Sequence, residues 1–123
     1  MKSREAQEQA AVISWCEIQS KKYFELEMIY HCPNGGYRNK IEAANLKRQG
    51  VKSGVPDLFL PIPRRNKDGL YHGLYIEMKW GKNECTPNQV KWITRLRHYG
   101  YKVKVCYGAD EAIDVIKSYL DII

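Results

Sequence analysis

Apolar and polar positions along the chain separate into eight segments. Val12, Trp15 and Cys16 recur at helical spacing, with Ile13 and Ile18 nearby, and predict a helix over residues 4–20 that Lys21 and Lys22 close with favourable cations. Leu26 to His31 alternates weakly in β-formers and reads as a short strand, followed by a Pro33-Asn34-Gly35-Gly36 loop. Asn39 to Gln49 reads as a basic helix that Gly50 stops. Leu58 to Ile62 is a predicted strand bounded by Pro61 and Pro63, and the polar turn Arg64 to Gly69 leads into a second strand from Gly73 to Trp80. Thr86-Pro87 is a helix start, a capping residue followed by proline at the first helical position. That helix is expected to turn Val90, Trp92, Ile93 and Leu96 inward and to end at Tyr99-Gly100. Tyr101 to Tyr107 is a further strand with Val103 and Val105 on one face. Asp110 is the predicted cap of a last helix built on Ala112, Ile113, Val115, Ile116, Tyr119 and Leu120. An antiparallel pair followed by a strand-helix-strand crossover predicts an α/β fold, one mixed sheet with helices on both faces.

The chain has 123 residues, enough for one domain over 1–123 with its own core, and a hydrophobic fraction of 44% argues against disorder. No apolar run approaches the roughly 18 residues that cross a bilayer, and the polar N-terminus lacks the pattern of a signal peptide. A soluble, cytoplasmic protein with no membrane partner is expected. Cys16, Cys32, Cys85 and Cys106 form no CxxC pair and no zinc spacing with the scattered His31, His72 and His98, so four free thiols are expected. Lys and Arg number 20 against 14 acidic residues, a net charge of +6 that suits a polyanionic partner. The cations cluster in sequence on either side of Asp57. Arg38, Lys40, Lys47, Arg48, Lys52 and the adjacent Ser53 precede it, and Arg64, Arg65 and Lys67 follow, all candidate contacts to DNA phosphates.

Two short stretches carry the chemistry, Gly54-Val55-Pro56-Asp57-Leu58 and Ile76-Glu77-Met78-Lys79. Each puts charge at or inside an apolar strand, where it is costly without a partner. Strand alternation sets Glu77 and Lys79 on one face, roughly 7 Å apart, and Asp57 falls on the matching phase at the head of the preceding strand. If the two strands pair, both carboxylates and the lysine converge. Such a set suits a hard divalent ion, Mg²⁺ or Mn²⁺, and a water activated to attack phosphorus, with the lysine orienting that water or stabilising the phosphorane. Taken singly, an Asp after proline is commonly a turn residue and Glu-x-Lys commonly a solvated strand face. On the first helix, Glu5 and Glu8 share a face with Val12 and Trp15, so either can supply a third carboxylate, and Gln9 is placed to hydrogen-bond a water there. Gln89, in the first turn of the Thr86 helix, either lines the same site or stands in solvent.

Gly54 to Leu58 with Ile76 to Lys79 resembles the PD-(D/E)xK nuclease motif. With the Glu-bearing first helix and Thr86-Pro87-Asn88-Gln89, nearly the whole chain resembles the virus-type replication-repair nuclease (VRR-NUC) family. The resemblance implies a restriction-endonuclease-like three-layer fold and Mg²⁺- or Mn²⁺-dependent cutting of DNA. It implies Asp57, Glu77 and the Met78 main-chain carbonyl as metal ligands, Lys79 as the catalytic lysine, and Glu5 as the best match to the family's first-helix acid. Members include domains of larger repair proteins and short stand-alone chains, often phage-encoded, and this chain resembles the latter. A homodimer resolving four-way (Holliday) junctions is the expectation. A monomeric flap- or nick-directed nuclease, a DNA-binding module without activity, and a metal-dependent phosphatase are the competing readings.

Overall fold

A computed structural model describes residues 3–35 and 39–123. The chain runs α1 (Arg4–Gln19), a short 3-10 helix (Phe24–Met28), β1 (Tyr30–His31), α2 (Lys40–Arg48), β2 (Leu58–Leu60), β3 (Arg64–Asn66), β4 (Gly69–Tyr71), β5 (Leu74–Lys79), α3 (Pro87–His98), β6 (Lys102–Tyr107) and α4 (Ala109–Leu120). Four strands form a mixed sheet in the order β1-β2-β5-β6. β2 is antiparallel to both β1 and β5, whereas β5 and β6 are parallel and joined through α3. The α/β class, the mixed sheet and the flanking helices agree with the sequence reading.

Strand alternation divides the sheet into two unlike faces. Leu58 and Leu60 of β2, Leu74, Ile76 and Met78 of β5 and Cys106 of β6 point into one core. Val12 and Cys16 of α1 and Ala112, Ile116, Tyr119 and Leu120 of α4 close it, all nearly free of solvent. The opposite face begins as an aromatic layer in which Phe59 stacks on Tyr75 at 4.2 Å and Tyr101 meets both edge-on. Tyr75, Glu77 and Lys79 share this second face, so continuing along β5 replaces the aromatic layer by two charges. All four cysteines are free thiols.

Several elements differ from the pattern-based expectation, each for a local reason. Leu26 to His31 is mostly the 3-10 helix, and only Tyr30 and His31 pair as strand, because Leu26 must turn into the core. β2 stops at Leu60 rather than Ile62, as the Pro61 and Pro63 pair predicts for a ladder that needs N–H donors. The polar turn at Arg64 to Gly69 is itself a small hairpin, β3 with β4, set outside the main sheet. Val90 is 51% exposed, and the inward side of α3 is carried by the buried Ile93 with half-buried Trp92 and Leu96. Asp110 does not cap α4. Gly108 occupies the cap with φ of 93°, and Glu8 of α1 accepts the Ala109 N–H at 2.9 Å. A Cβ at Gly108 would lie 3.3 Å from both Glu8 Oε1 and the Trp80 ring, which explains a glycine there.

Candidate active site

The site forms where β2 leaves the sheet. Register pairs Leu58 with Ile76 and Leu60 with Leu74, so β5 residues of even number turn their main-chain N–H and C=O towards β2. One step further the partner of Met78 would be Pro56, which has no N–H, and the Asp57 side chain takes over. Its Oδ2 accepts the Met78 N–H at 2.8 Å. Asn34 donates to Asp57 Oδ1 at 3.0 Å and to the Val55 carbonyl at 2.8 Å, spanning Pro56. The Asp57 carbonyl accepts the Cys32 N–H at 2.8 Å and lies 2.8 Å from His31 Nδ1. Gln9 Nε2 lies 3.1 Å from the same His31 Nδ1, so the ring's tautomer sets which of the two contacts is the hydrogen bond. Asp57 is therefore fixed at side chain and main chain together.

Glu77 and Lys79 are 2% and 5% exposed, an unusual depth for either type. Lys79 Nζ lies 4.0 Å from Glu77 Oε2. Gln89 donates to the same oxygen at 3.3 Å, while its own Oε1 accepts the Thr86 N–H at 2.9 Å. The capping box of α3 thus sets which way the Gln89 amide faces the site. Glu77 Oε1 is buried with no hydrogen-bond partner. Burial pushes the Glu77 carboxyl up to about 9, and the neighbouring Asp57 and the more remote Glu5 add to the rise against the opposing Lys79. Burial and the like charge of Asp57 both favour a proton or a cation at Glu77.

The first-helix candidates separate clearly. Glu8 is drawn away from the site, pairing with Arg4 at 3.2 Å through one oxygen and capping α4 with the other. Glu5 remains near enough for its charge to act on Glu77, held by Asn83 Nδ2 at 2.8 Å. Gln9 is engaged with His31. Among the described residues no three His, Cys, Asp or Glu side chains are gathered closely enough to hold a metal. Two carboxylates and the Met78 carbonyl, which points the same way as its N–H into the gap left by β2, remain as donors. That set fits Mg²⁺, which takes one or two carboxylates and keeps several waters. The partnerless Glu77 oxygen is a donor such an ion would satisfy.

The predicted phosphate contacts are not all brought to this place. Ser53 and Gly54 approach the start of α3, with Asn88 Nδ2 at 3.4 Å from Ser53 Oγ. A Cβ on Gly54 (φ of 93°) would come within 2.7 Å of the Asn88 main chain. Lys40, Lys47 and Arg48 lie along the exposed α2, Lys52 is exposed, and Arg38 lies outside the described residues. Because β2 runs away from the site, the β3–β4 hairpin carries Arg64, Arg65 and Lys67 to the far end of the sheet, and Arg64 is engaged with Glu25 at 2.7 Å. Closeness in sequence to Asp57 was misleading there. Asn34, His31 and Asn83 are participants that pattern did not reveal. Asn34 sits in a Pro-Asn-Gly-Gly stretch that reads only as a turn, and nothing local announces that the turn folds onto Asp57.

A mixed sheet that brings Pro56-Asp57 at the head of one strand beside Glu77-x-Lys79 in the next is the arrangement of the PD-(D/E)xK nucleases. The VRR-NUC domain model matches residues 3–110. Among solved structures, a VRR-NUC domain protein superimposes with a TM-score of 0.77 at 35% identity, over 99% of this chain and 92% of that one. No curated protein matches the chain. The chain belongs to the VRR-NUC family and is a nuclease domain, with DNA as its implied substrate. Nucleases of this family are generally dependent on a divalent metal. No described helix is long and apolar enough to cross a membrane.

Proposed function

We propose that the protein is a Mg²⁺- or Mn²⁺-dependent endodeoxyribonuclease acting on branched DNA, with Asp57, Glu77 and the Met78 carbonyl as metal ligands. The observation that carries this reading is the buried Glu77 oxygen without a donor, facing Asp57 where β2 has left the sheet. A divalent ion held there lowers the pKa of a coordinated water and neutralises charge on the non-bridging phosphate oxygens. The protein's own residues do the rest. Asn34 and the Met78 N–H hold the Asp57 carboxylate, and Gln89 holds Glu77. The Lys79 ammonium, on the same face and nearly dry, orients the attacking water and stabilises charge growing on the phosphate. Glu5, at the rim, orients a further water. Ser53 and the cations of α2 supply contacts to the phosphate backbone.

Four-way junctions are the proposed substrate and a homodimer the working form. Resolution needs two symmetric incisions, which a twofold dimer supplies, and a net charge of +6 suits a substrate dense in phosphate. The test is cleavage of flap, fork and four-way junction substrates with and without Mg²⁺, alongside the mass in solution. Paired cuts across the junction by a dimer are expected. Cleavage of single flaps by a monomer overturns the junction reading, and full activity of Asp57→Ala and Lys79→Ala overturns the site.

A further inference from the structure

We propose that the end of the molecule opposite the carboxylates carries a second contact to the phosphodiester backbone of DNA, in a pocket between the β3–β4 hairpin and the end of α4. The pocket has a volume of about 560 Å³ and is lined by Arg65, Lys67, Lys102 and Lys117 against Asp68 and Asp121. Asp68 is already engaged, accepting from Lys102 at 2.7 Å and from the Tyr71 hydroxyl at 2.9 Å. Lys117 lies over the Trp15 ring at 5.8 Å. Arg65 and Lys67 are exposed, and neither side chain has a protein partner among the described residues. Two uncommitted cations at the mouth of a concave, positive surface leave an anion as the missing partner.

Topology gives this pocket a defined separation from the metal-binding residues. Lys102 is in register with Leu74 at the start of β5, and Tyr107 with Lys79 at its end. The intervening strand spans roughly 16 Å at about 3.3 Å per residue. One DNA arm can reach both places, since that distance is about five steps of a strand at about 3.4 Å per phosphate. The inference rests on the proposed action on duplex arms of branched DNA, and it adds that the arm is gripped away from the cut as well as at it.

The test is binding of a fluorescent four-way junction by anisotropy across a salt series, in the presence of Ca²⁺. An Arg65→Ala/Lys67→Ala double variant is compared with Lys21→Ala/Lys22→Ala, which removes the same charge outside the pocket. Loss of two phosphate contacts should weaken binding on the order of tenfold and lower the salt slope by about 2. The control pair should move the slope by less than half as much, and both variants should melt like the wild type. An unchanged slope in the pocket variant, or an equal change in the control, overturns the second site. Failure of the wild type to bind the junction overturns instead the branched-DNA reading on which it rests.

Discussion

Replacing Glu77 by Gln keeps the size of the side chain and removes the titration that dominates the site. The native carboxyl holds its proton up to about 9, against 4.5 for the ordinary group. Between those values the unfolded chain has lost a proton that the native one retains, so native stability falls as pH rises, by up to about 1.4 kcal/mol per pH unit. The contribution is complete below 4.5 and is lost through the approach to 9. At pH 7 the accumulated penalty is roughly 3 kcal/mol, a large share of the 5–15 kcal/mol typical of a domain. A Gln amide can donate towards Asp57 as a protonated Glu77 would and still accept from Gln89. The metal-free Glu77→Gln protein should therefore match the wild type near pH 4.5 and exceed it increasingly towards pH 8.5, although it is expected to lose the metal site. Urea unfolding followed by tryptophan fluorescence in EDTA at pH 5, 7 and 8.5 measures the difference directly. Parallel stability curves for the two proteins would show that Glu77 ionises normally in the fold and would refute a rise caused by its burial beside Asp57.

Asn34→Ala should weaken Mg²⁺ binding by roughly 10- to 100-fold, the usual effect of removing a residue that orients a ligand, with little change in melting temperature. Calorimetric titration reads the affinity, and an unchanged value would reduce Asn34 to a loop brace. Lys79→Ala should lower the cleavage rate by about 10² or more while metal affinity, measured the same way, is retained. Gly54→Ala places a methyl 2.7 Å from the Asn88 main chain at φ of 93°. It should cost roughly 1–3 kcal/mol in chemical denaturation, and a neutral result would mean the loop before Asp57 relaxes freely. Burial pushes the Cys16 and Cys106 thiols up to about 12. Both should resist alkylation at pH 8 in the native protein and react once urea unfolds it.

Much of this molecule can be read from its amino-acid pattern. The spacing of Val12 and Cys16, the Thr86-Pro87 start and the alternation through Leu74 to Lys79 each report a local periodicity, so the long helices and the two central strands follow from them. Alternation also suffices to set Glu77 and Lys79 on one face, because side chains in a strand have a period of two whatever surrounds them. Where local preference was weak, as over Leu26 to His31, the core decided, and burial of Leu26 won over strand propensity.

The separation between near and far needed the chain folded. Glu5 and Glu8 are indistinguishable by helical face, and only the position of the α4 N-terminus, whose N–H groups attract a carboxylate, takes Glu8 away from the site and leaves Glu5 within electrostatic reach of Glu77. Arg64, Arg65 and Lys67 sit close to Asp57 along the chain, but β2 and β5 run antiparallel and carry them to the other pole. Asn34 reaches Asp57 across 23 positions of sequence. Sequence by itself determined which charged residues lie in strands and which way they point, since those are properties of a few adjacent residues. Tertiary structure alone decided which of them meet, because hydrogen bonding and desolvation act over ångströms in space and take no account of distance along the chain.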